Sequence, residues 1–179
     1  MNHSRQKKWL AFVLTFTMVL TTLFGGFGFL GVNGIVGEAY AASQRTTTLD
    51  LRSMPTTNNA DEGWNWDAAT KVLTLSGITI NCSDPANCDG LLIPDGTSIY
   101  LVGTNTIKSA SSPGMSYGIY ALGNVTISGT GSLTVTSGNV SNTTASPSGY
   151  YGPSGTLTVN SGTVSFTGGN GNGNTGQTS

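Results

Sequence analysis

Apolar and polar residues alternate along most of this chain, in short runs that end at a glycine. Four pairs of apolar residues show the pattern, each followed by Gly: Leu73/Leu75, Ile99/Leu101, Val125/Ile127 and Leu157/Val159. Alternation with a period of two predicts strands that bury one face. A glycine after each strand predicts a corner with positive φ or close backbone approach. We expect no helix after residue 42, because Gly, Thr, Ser and Asn are poor helix formers.

The same order of glycine and apolar residues returns in longer segments. These segments are GLLIPDGTSIYLVGTNTI (90–107), GIYALGNVTISGTGSLTV (118–135) and GYYGPSGTLTVNSGTVSF (149–166), with a partial copy in KVLTLSGITI (71–80). Such self-similarity indicates a unit that buries its apolar face only by stacking on its neighbours. We therefore predict an all-β fold, a parallel β-helix (β-solenoid) of about four coils. A β-sandwich is the alternative, but it does not explain the recurrence.

The first 41 residues have the layout of a secretory signal peptide. Three basic residues precede an apolar run (9–31), and an Ala-Tyr-Ala sequence ends at Ala41. This arrangement predicts cleavage between Ala41 and Ala42 and export from the cell. Because the apolar run is unusually long, an uncleaved membrane anchor is the alternative. We expect a secreted or cell-surface protein.

The rest of the chain divides into three parts. Residues 42–62 form a lead-in that adds one strand, 63–169 form the β-helix domain, and 170–179 form a disordered Gly/Asn-rich tail. Trp64 and Trp66 point to one side of an extended chain, which suits a cap on the first rung. The segment 168–179 has no apolar residue to cover the last rung, and an uncovered rung invites edge-to-edge association. We therefore expect a chain truncated from a longer protein.

The charge pattern excludes several functions. After residue 42 there are four basic and seven acidic side chains, and no charged residue follows Lys108. Nucleic-acid binding requires a basic surface and is therefore excluded. The only histidine, His3, lies in the signal peptide, so no Ser-His-Asp or Cys-His catalytic group can form. The repeats also lack an arginine that could serve as the base of a polysaccharide lyase. We predict that the protein is not an enzyme.

Two cysteines and three aspartates surround the loop before the first full coil. Cys82 and Cys88 lie close in sequence, and in an exported protein we predict a local disulfide; two reduced thiols are the alternative. Asp84, Asp89 and Asp95 could hold calcium together with turn carbonyl oxygens. The alternative is that these aspartates bond their own turn backbone.

Aromatic residues indicate a second kind of site. If Leu91, Ile119 and Tyr150 point inward, then Leu92, Tyr120 and Tyr151 form an outward column with neighbouring rungs about 4.8 Å apart. A flat ladder of rings next to hydroxyl and amide groups suits the faces of sugars.

The predicted sugar-binding tyrosines are Tyr120, Tyr151 and Tyr100. Tyr100 and Tyr117 are expected to lie on faces adjacent to the column. Asn124 and Thr126 are expected to be polar partners of the rings. The alternative is that the stacked tyrosines only stabilise the solenoid.

Three segments resemble a known family: WNWDAATKVLTLSGITI, PDGTSIYLVGTNTI and GIYALGNVTISGTGSLTV. They are similar to the secreted bacterial β-helix domains classed as carbohydrate-binding, found mainly in Gram-positive bacteria, over roughly residues 63–169. The resemblance implies a right-handed parallel β-helix that binds plant-type or acidic polysaccharide without catalysis, sometimes with calcium. We therefore expect polysaccharide binding through an exposed face. A structural or adhesin-like stalk segment of a larger surface protein is the alternative.

Overall fold

The computed structural model describes residues 43–86, 89–141 and 146–171, which belong to one compact unit, Glu38–Ser179. The predicted signal peptide (1–41), Cys88 and residues 172–179 lie outside the described residues. Within the described ranges, the chain contains no helix of the length and apolarity needed to cross a membrane.

The described part of the chain is all-β and contains fourteen strands. Their bounds are β1 (Leu49–Asp50), β2 (Thr57–Asn59), β3 (Trp64–Asp67), β4 (Val72–Ser76), β5 (Thr79–Asn81), β6 (Leu91–Ile93), β7 (Thr97–Val102), β8 (Thr104–Lys108), β9 (Tyr117–Ala121), β10 (Val125–Gly129), β11 (Ser132–Thr136), β12 (Ser148–Tyr151), β13 (Leu157–Val159) and β14 (Thr163–Thr167).

These strands form three sheets, and each turn of the chain contributes one strand to each sheet. Sheet 1 has the order β1-β6-β9-β12, sheet 2 the order β13-β10-β7-β4-β3-β2, and sheet 3 the order β14-β11-β8-β5. Strands from successive turns pair in parallel, as in Ile99 with Ile127 and Ile107 with Val135. This parallel register confirms the predicted β-solenoid, because a sandwich would pair its strands antiparallel.

The solenoid has about three turns rather than the predicted four. The complete turns are β6–β8, β9–β11 and β12–β14. Before them, β1, β4 and β5 contribute one strand to each sheet, but the chain leaves the solenoid between β1 and β4 to form β2 and β3. This first turn is therefore interrupted. The lead-in supplies two strands, β1 and β2, where one was expected.

Strands β2 and β3 form an antiparallel extension at the edge of sheet 2. Trp64 pairs with Leu75 and Trp66 with Leu73, and the two indoles are only 3% and 2% exposed. The Trp66 Nε1–H donates to the Met54 carbonyl oxygen at 3.1 Å. The two tryptophans thus cover the first rung, as the predicted cap requires.

The core is a set of apolar columns that run from turn to turn. In sheet 3, for example, Ile80, Ile107, Val135 and Phe166 are register partners and all are buried. Burying a large apolar side chain stabilises the fold by roughly 1.5–3 kcal/mol. This stacking explains why the period-2 alternation returns in each segment.

Glycines occupy two kinds of position in each turn. Gly103 directly follows β7 with φ of 63°, and the other predicted corner glycines also have positive φ, which residues with a side chain adopt at a cost. Gly118 instead lies where sheets 1 and 3 meet. A Cβ there would clash with Val135 Cγ1 and would lie 2.6 Å from the Gly149 oxygen. Both predicted reasons for glycine, positive φ and close approach, are therefore present.

Candidate functional site

The outer surface of sheet 1 carries a continuous column of side chains. Asp50 pairs with Leu92, Leu92 with Tyr120, and Tyr120 with Tyr151. Their neighbours Leu49, Leu91 and Ile119 are fully buried, so the column faces outward, as the alternation predicted. We call this column, together with Arg52, Asp89 and Tyr117, the sheet 1 face.

Three tyrosine rings form a cluster at one end of the sheet 1 face. The rings of Tyr117 and Tyr151 are nearly parallel, with centroids 4.3 Å apart and an interplanar angle of 8°. Tyr120 lies 5.7 Å from Tyr117 and 5.6 Å from Tyr151, tilted by 37° and 31°. Tyr117, which was expected on an adjacent face, therefore belongs to this cluster.

The arrangement of the rings differs from the flat ladder that the sequence suggested. Because Tyr117 and Tyr151 stack face to face, each covers one ring face of the other. Tyr117 is buried, whereas Tyr151 is 37% exposed and Tyr120 is half-buried. The accessible aromatic surface is therefore contributed by Tyr151 and Tyr120.

An ion pair lies at the other end of the sheet 1 face. Arg52 Nε and Nη2 donate to Asp50 Oδ1 and Oδ2 at 2.9 and 2.7 Å, a two-point contact made from just beyond the end of β1. The hydrogen bond from Arg52 holds the pKa of the Asp50 carboxyl below its usual value. The hydrogen bond to Asp50 raises the pKa of Arg52, and the nearby charge of Asp89 acts in the same direction. The guanidinium is thus electrostatically coupled to the carboxylates of Asp50 and Asp89.

Asp89 lies between the ion pair and the rings. Its Oδ1 accepts the backbone N–H of Tyr117 at 3.0 Å, and its carbonyl oxygen accepts the Thr48 hydroxyl at 2.6 Å. Burial raises the pKa of the Asp89 carboxyl, while the Tyr117 N–H and Arg52 act in the opposite direction. Asp89 therefore both positions the start of β9 and presents a half-buried carboxyl to the face.

Two adjoining cavities connect these groups into one groove. The first, of about 400 Å³, includes Thr47, Thr48 and Asp84 in its lining, and the second, of about 410 Å³, includes Met115, Tyr117 and Tyr120. Arg52, Asp89 and Leu92 line both cavities. We call this continuous depression the sheet 1 groove.

A larger cavity of about 550 Å³ lies where sheet 3 turns into sheet 1. Its polar lining groups are used within the fold: Asn139 N donates to Ser111 Oγ at 3.1 Å, and Asn170 N donates to Asn139 Oδ1 at 2.8 Å. Among the residues that the structure describes, no aromatic or charged side chain lines it. The sheet 1 groove is therefore the stronger candidate for a binding site.

The structure does not bring the other predicted sugar-binding residues to this groove. Tyr100 is 43% exposed on sheet 2, between Thr74 and Ser128. Thr126 also lies on sheet 2, in β10.

Asn124 lies at the corner between sheets 1 and 2, where its side chain is part of a ladder. Its Oδ1 accepts the Thr156 N–H at 3.1 Å, and its own N–H donates to Asp95 Oδ1 at 2.6 Å. Its amide oxygen therefore already links two turns of the solenoid.

Of the three aspartates predicted to hold calcium, Asp84 and Asp89 line the same cavity, and Asp95 lies outside it. Asp84 Oδ1 accepts the Ala86 N–H at 2.9 Å, a bond within its own turn. Asp89 precedes β6 and Asp95 follows it, so the strand separates them. Among the residues that the structure describes, no group of three or more His, Cys, Asp or Glu could hold a metal ion. Calcium binding stays a prediction.

Cys82 is buried, and its Sγ lies 3.4 Å from the Asp89 carbonyl oxygen. Its proposed disulfide partner, Cys88, lies outside the described residues. The disulfide stays a prediction.

Comparison with known proteins does not assign the chain to a family, so the fold is the basis on which the protein is classified. No family model matches the chain, and neither a curated protein nor a solved structure matches it. The class is therefore defined by the architecture: an all-β parallel solenoid of about three turns, with a groove that is ionic at one end and aromatic at the other.

Proposed function

We propose that the protein binds polysaccharide through the sheet 1 groove. The observation that carries the proposal is the cluster of Tyr117, Tyr120 and Tyr151 on one outward face, next to hydrogen-bonding groups. Sugars present a C–H face that packs on aromatic rings and a rim of hydroxyl groups that bonds polar side chains. A groove with rings at one end and polar groups at the other suits both parts of such a ligand. The export predicted from the sequence is consistent with an extracellular glycan.

Each group has a distinct role in this proposal. The exposed ring of Tyr151 and the half-buried ring of Tyr120 receive the sugar face, while the buried ring of Tyr117, stacked on Tyr151, supports them. Asp50 and Asp89 accept hydrogen bonds from sugar hydroxyls, and Arg52 donates to them. Hydrogen bonds to charged groups are stronger than neutral ones.

We also propose that binding occurs without catalysis. A glycosidase needs two carboxyl groups that can transfer a proton and attack or activate water. Here both oxygens of Asp50 accept from Arg52, and Asp89 Oδ1 accepts the Tyr117 N–H. Both groups therefore have structural partners. We expect neither new reducing ends nor unsaturated products when the protein is incubated with the polymers that it binds.

A stalk segment of a larger surface protein is the second candidate. The observation that favours it is the face-to-face contact of Tyr117 and Tyr151, since stacked rings stabilise a solenoid whether or not a ligand binds. In that case the groove has no glycan ligand.

Retention on insoluble cellulose, pectin and peptidoglycan distinguishes the two candidates. We expect the protein to be retained on at least one of them. The Tyr120→Ala/Tyr151→Ala double variant should lose roughly tenfold or more in affinity, because it removes the two rings whose apolar surface the sugar would cover, and a loss of about 1.4 kcal/mol is tenfold in affinity. Tyr100→Ala is the matched control, because Tyr100 lies on sheet 2. Equal retention of the double variant and the control would contradict the proposal. No retention on any polymer would favour the stalk.

A further inference from the structure

The charged side chains that line the sheet 1 groove are mostly acidic. Of the residues that the structure describes, Asp50, Asp84 and Asp89 line it together with one cation, Arg52. Arg52 makes a two-point contact with Asp50, so its charge is largely compensated within the pair. The electrostatic character of the groove is therefore set by the remaining carboxylates.

Asp89 is the carboxylate placed to contact a sugar bound on the rings. It lines both cavities, and its side chain accepts the N–H of Tyr117, one of the three clustered tyrosines. A sugar that stacks on Tyr120 would bring its ring substituents toward Asp89, since Tyr120 and Asp89 line the same cavity. A hydroxyl substituent would then interact favourably with the Asp89 carboxylate, and a carboxylate substituent would be repelled by it.

A hydroxyl group and a carboxylate meet Asp89 very differently. A hydroxyl donates a charge-assisted hydrogen bond to the carboxylate. A carboxylate on the sugar places two like charges close together in a partly desolvated groove, where their repulsion is stronger than in bulk water. Like-charge contacts of this kind are a common means of rejecting a competing ligand.

We infer that the sheet 1 groove selects uncharged polysaccharides over polyuronates. This inference rests on the proposed function and narrows its ligand class. Of the plant-type and acidic polysaccharides that the sequence resemblance implies, the groove favours those whose sugars offer hydroxyl groups and carry no carboxylate.

Affinity electrophoresis of the full chain with matched polymer pairs tests the inference. The pairs are methyl-esterified and free polygalacturonate, and hydroxyethyl and carboxymethyl cellulose, since within each pair the backbone is the same and the charge differs. We expect the uncharged member to retard the protein more strongly, with affinities differing by roughly tenfold at low salt. The difference should shrink at high salt, because salt screens exposed charges.

Three variants test whether the charges of the groove cause the difference in affinity within each polymer pair. Asp89→Asn should reduce the difference within each pair, and its amide oxygen can still accept the Tyr117 N–H. Asp50→Asn should release the charge of Arg52 and raise affinity for the acidic member, which gives a second test if Asp89→Asn folds poorly. Asp61→Asn is the matched control: it removes the same charge from an exposed turn outside the groove and should leave the difference unchanged.

The outcomes separate this inference from the proposed function. Equal or stronger retardation by the acidic members, or a difference that both Asp89→Asn and Asp50→Asn leave intact, would overturn the inference while polysaccharide binding stands. Absence of retardation by every polymer, together with failure to be retained on the insoluble glycans, would remove the proposed function and the inference with it.

Discussion

Asn105 and Leu133 occupy the same inward position in successive turns of sheet 3, where they are register partners in β8 and β11. Asn105 is fully buried, and its Oδ1 accepts the N–H groups of Gly77 and Ile78 at 2.9 and 3.1 Å. Its Nδ2 donates to the Ser132 carbonyl oxygen at 3.0 Å. One side-chain amide thus links the corners of three successive turns, which explains how a polar group persists in an apolar column.

We predict that Asn105→Ala destabilises the fold by about 3 kcal/mol or more. The variant leaves the buried N–H of Ile78, the half-buried N–H of Gly77 and at least one carbonyl group without their partner, and each buried unsatisfied group costs roughly 1–3 kcal/mol. Urea unfolding followed by circular dichroism measures the change. Thr106→Ala, at the exposed neighbouring position of β8, should change the free energy of unfolding by less than about 0.5 kcal/mol. Similar values for the two variants would show that the Asn105 amide does not hold the corners.

Gly118 tests the contact between sheets 1 and 3. Gly118→Ala places a methyl group against Val135 Cγ1 and the Gly149 oxygen, and overpacking of this kind costs typically about 1–3 kcal/mol. Gly114→Ala is the matched control, since only Ser112 Oγ lies within 4 Å of its added Cβ, at 3.9 Å. We expect the control to unfold at nearly the wild-type urea concentration and Gly118→Ala well below it. A tolerated Gly118→Ala would mean that the two sheets can separate locally without cost.

The N-terminal cap provides a third prediction. Trp66→Ala removes a buried indole from the first rung and should cost about 3–5 kcal/mol. Asn65→Ala, between the two tryptophans but exposed on the opposite side of β3, should have little effect. Thermal unfolding of the two variants compares them directly. If both melt like the wild type, the tryptophans do not contribute to the cap.

Most of the fold could be predicted from the sequence because a solenoid repeats a local pattern. Alternation such as Val125/Ile127 identifies strands, and a following glycine such as Gly129 identifies the corner. The number of turns was overestimated because the partial copy at 71–80 was counted as a coil. Its strand in sheet 1, β1 at Leu49, is separated from β4 by the β2–β3 extension, so this turn is interrupted. A local pattern does not show that these distant strands belong to one interrupted turn.

The candidate site was predictable only in part. Tyr120 and Tyr151 lie within regular strands, so the alternation of side chains along each strand places them on the outer face. Tyr117 begins β9, next to Gly118, which lies close to Val135 and Gly149. The regular alternation of inward and outward side chains does not hold at this end of the strand. Arg52 joins the site through the pairing of β1 with β6, which connects residues about forty positions apart. The Asp50-Leu51-Arg52 spacing was the one local signal for the ion pair.

The titration of Asp89 has an effect on stability whose sign follows from its environment. Burial raises the pKa of its carboxyl in the folded protein above the value in the unfolded chain, about 3.9. Between these two pKa values the folded state binds more protons than the unfolded state. The contribution of Asp89 to stability is therefore most favourable below the unfolded pKa and is lost as pH rises through the folded one.

We predict that Asp89→Asn stabilises the protein relative to wild type near neutral pH, and that this advantage disappears near pH 3, where the wild-type carboxyl is protonated in both states. Asp50→Asn should behave in the opposite way: the hydrogen bond from Arg52 lowers the pKa of Asp50, so the wild-type carboxylate is stabilising above the unfolded pKa and that contribution fades as pH falls. Because the Asp50–Arg52 pair is exposed to solvent, its effect should be the smaller of the two. Urea unfolding of the three proteins from pH 3 to 7 measures both differences. A difference between Asp89→Asn and wild type that does not grow with pH would mean that the Asp89 carboxyl is hydrated in solution, and the groove would then lack the half-buried charge on which its discrimination between glycans depends.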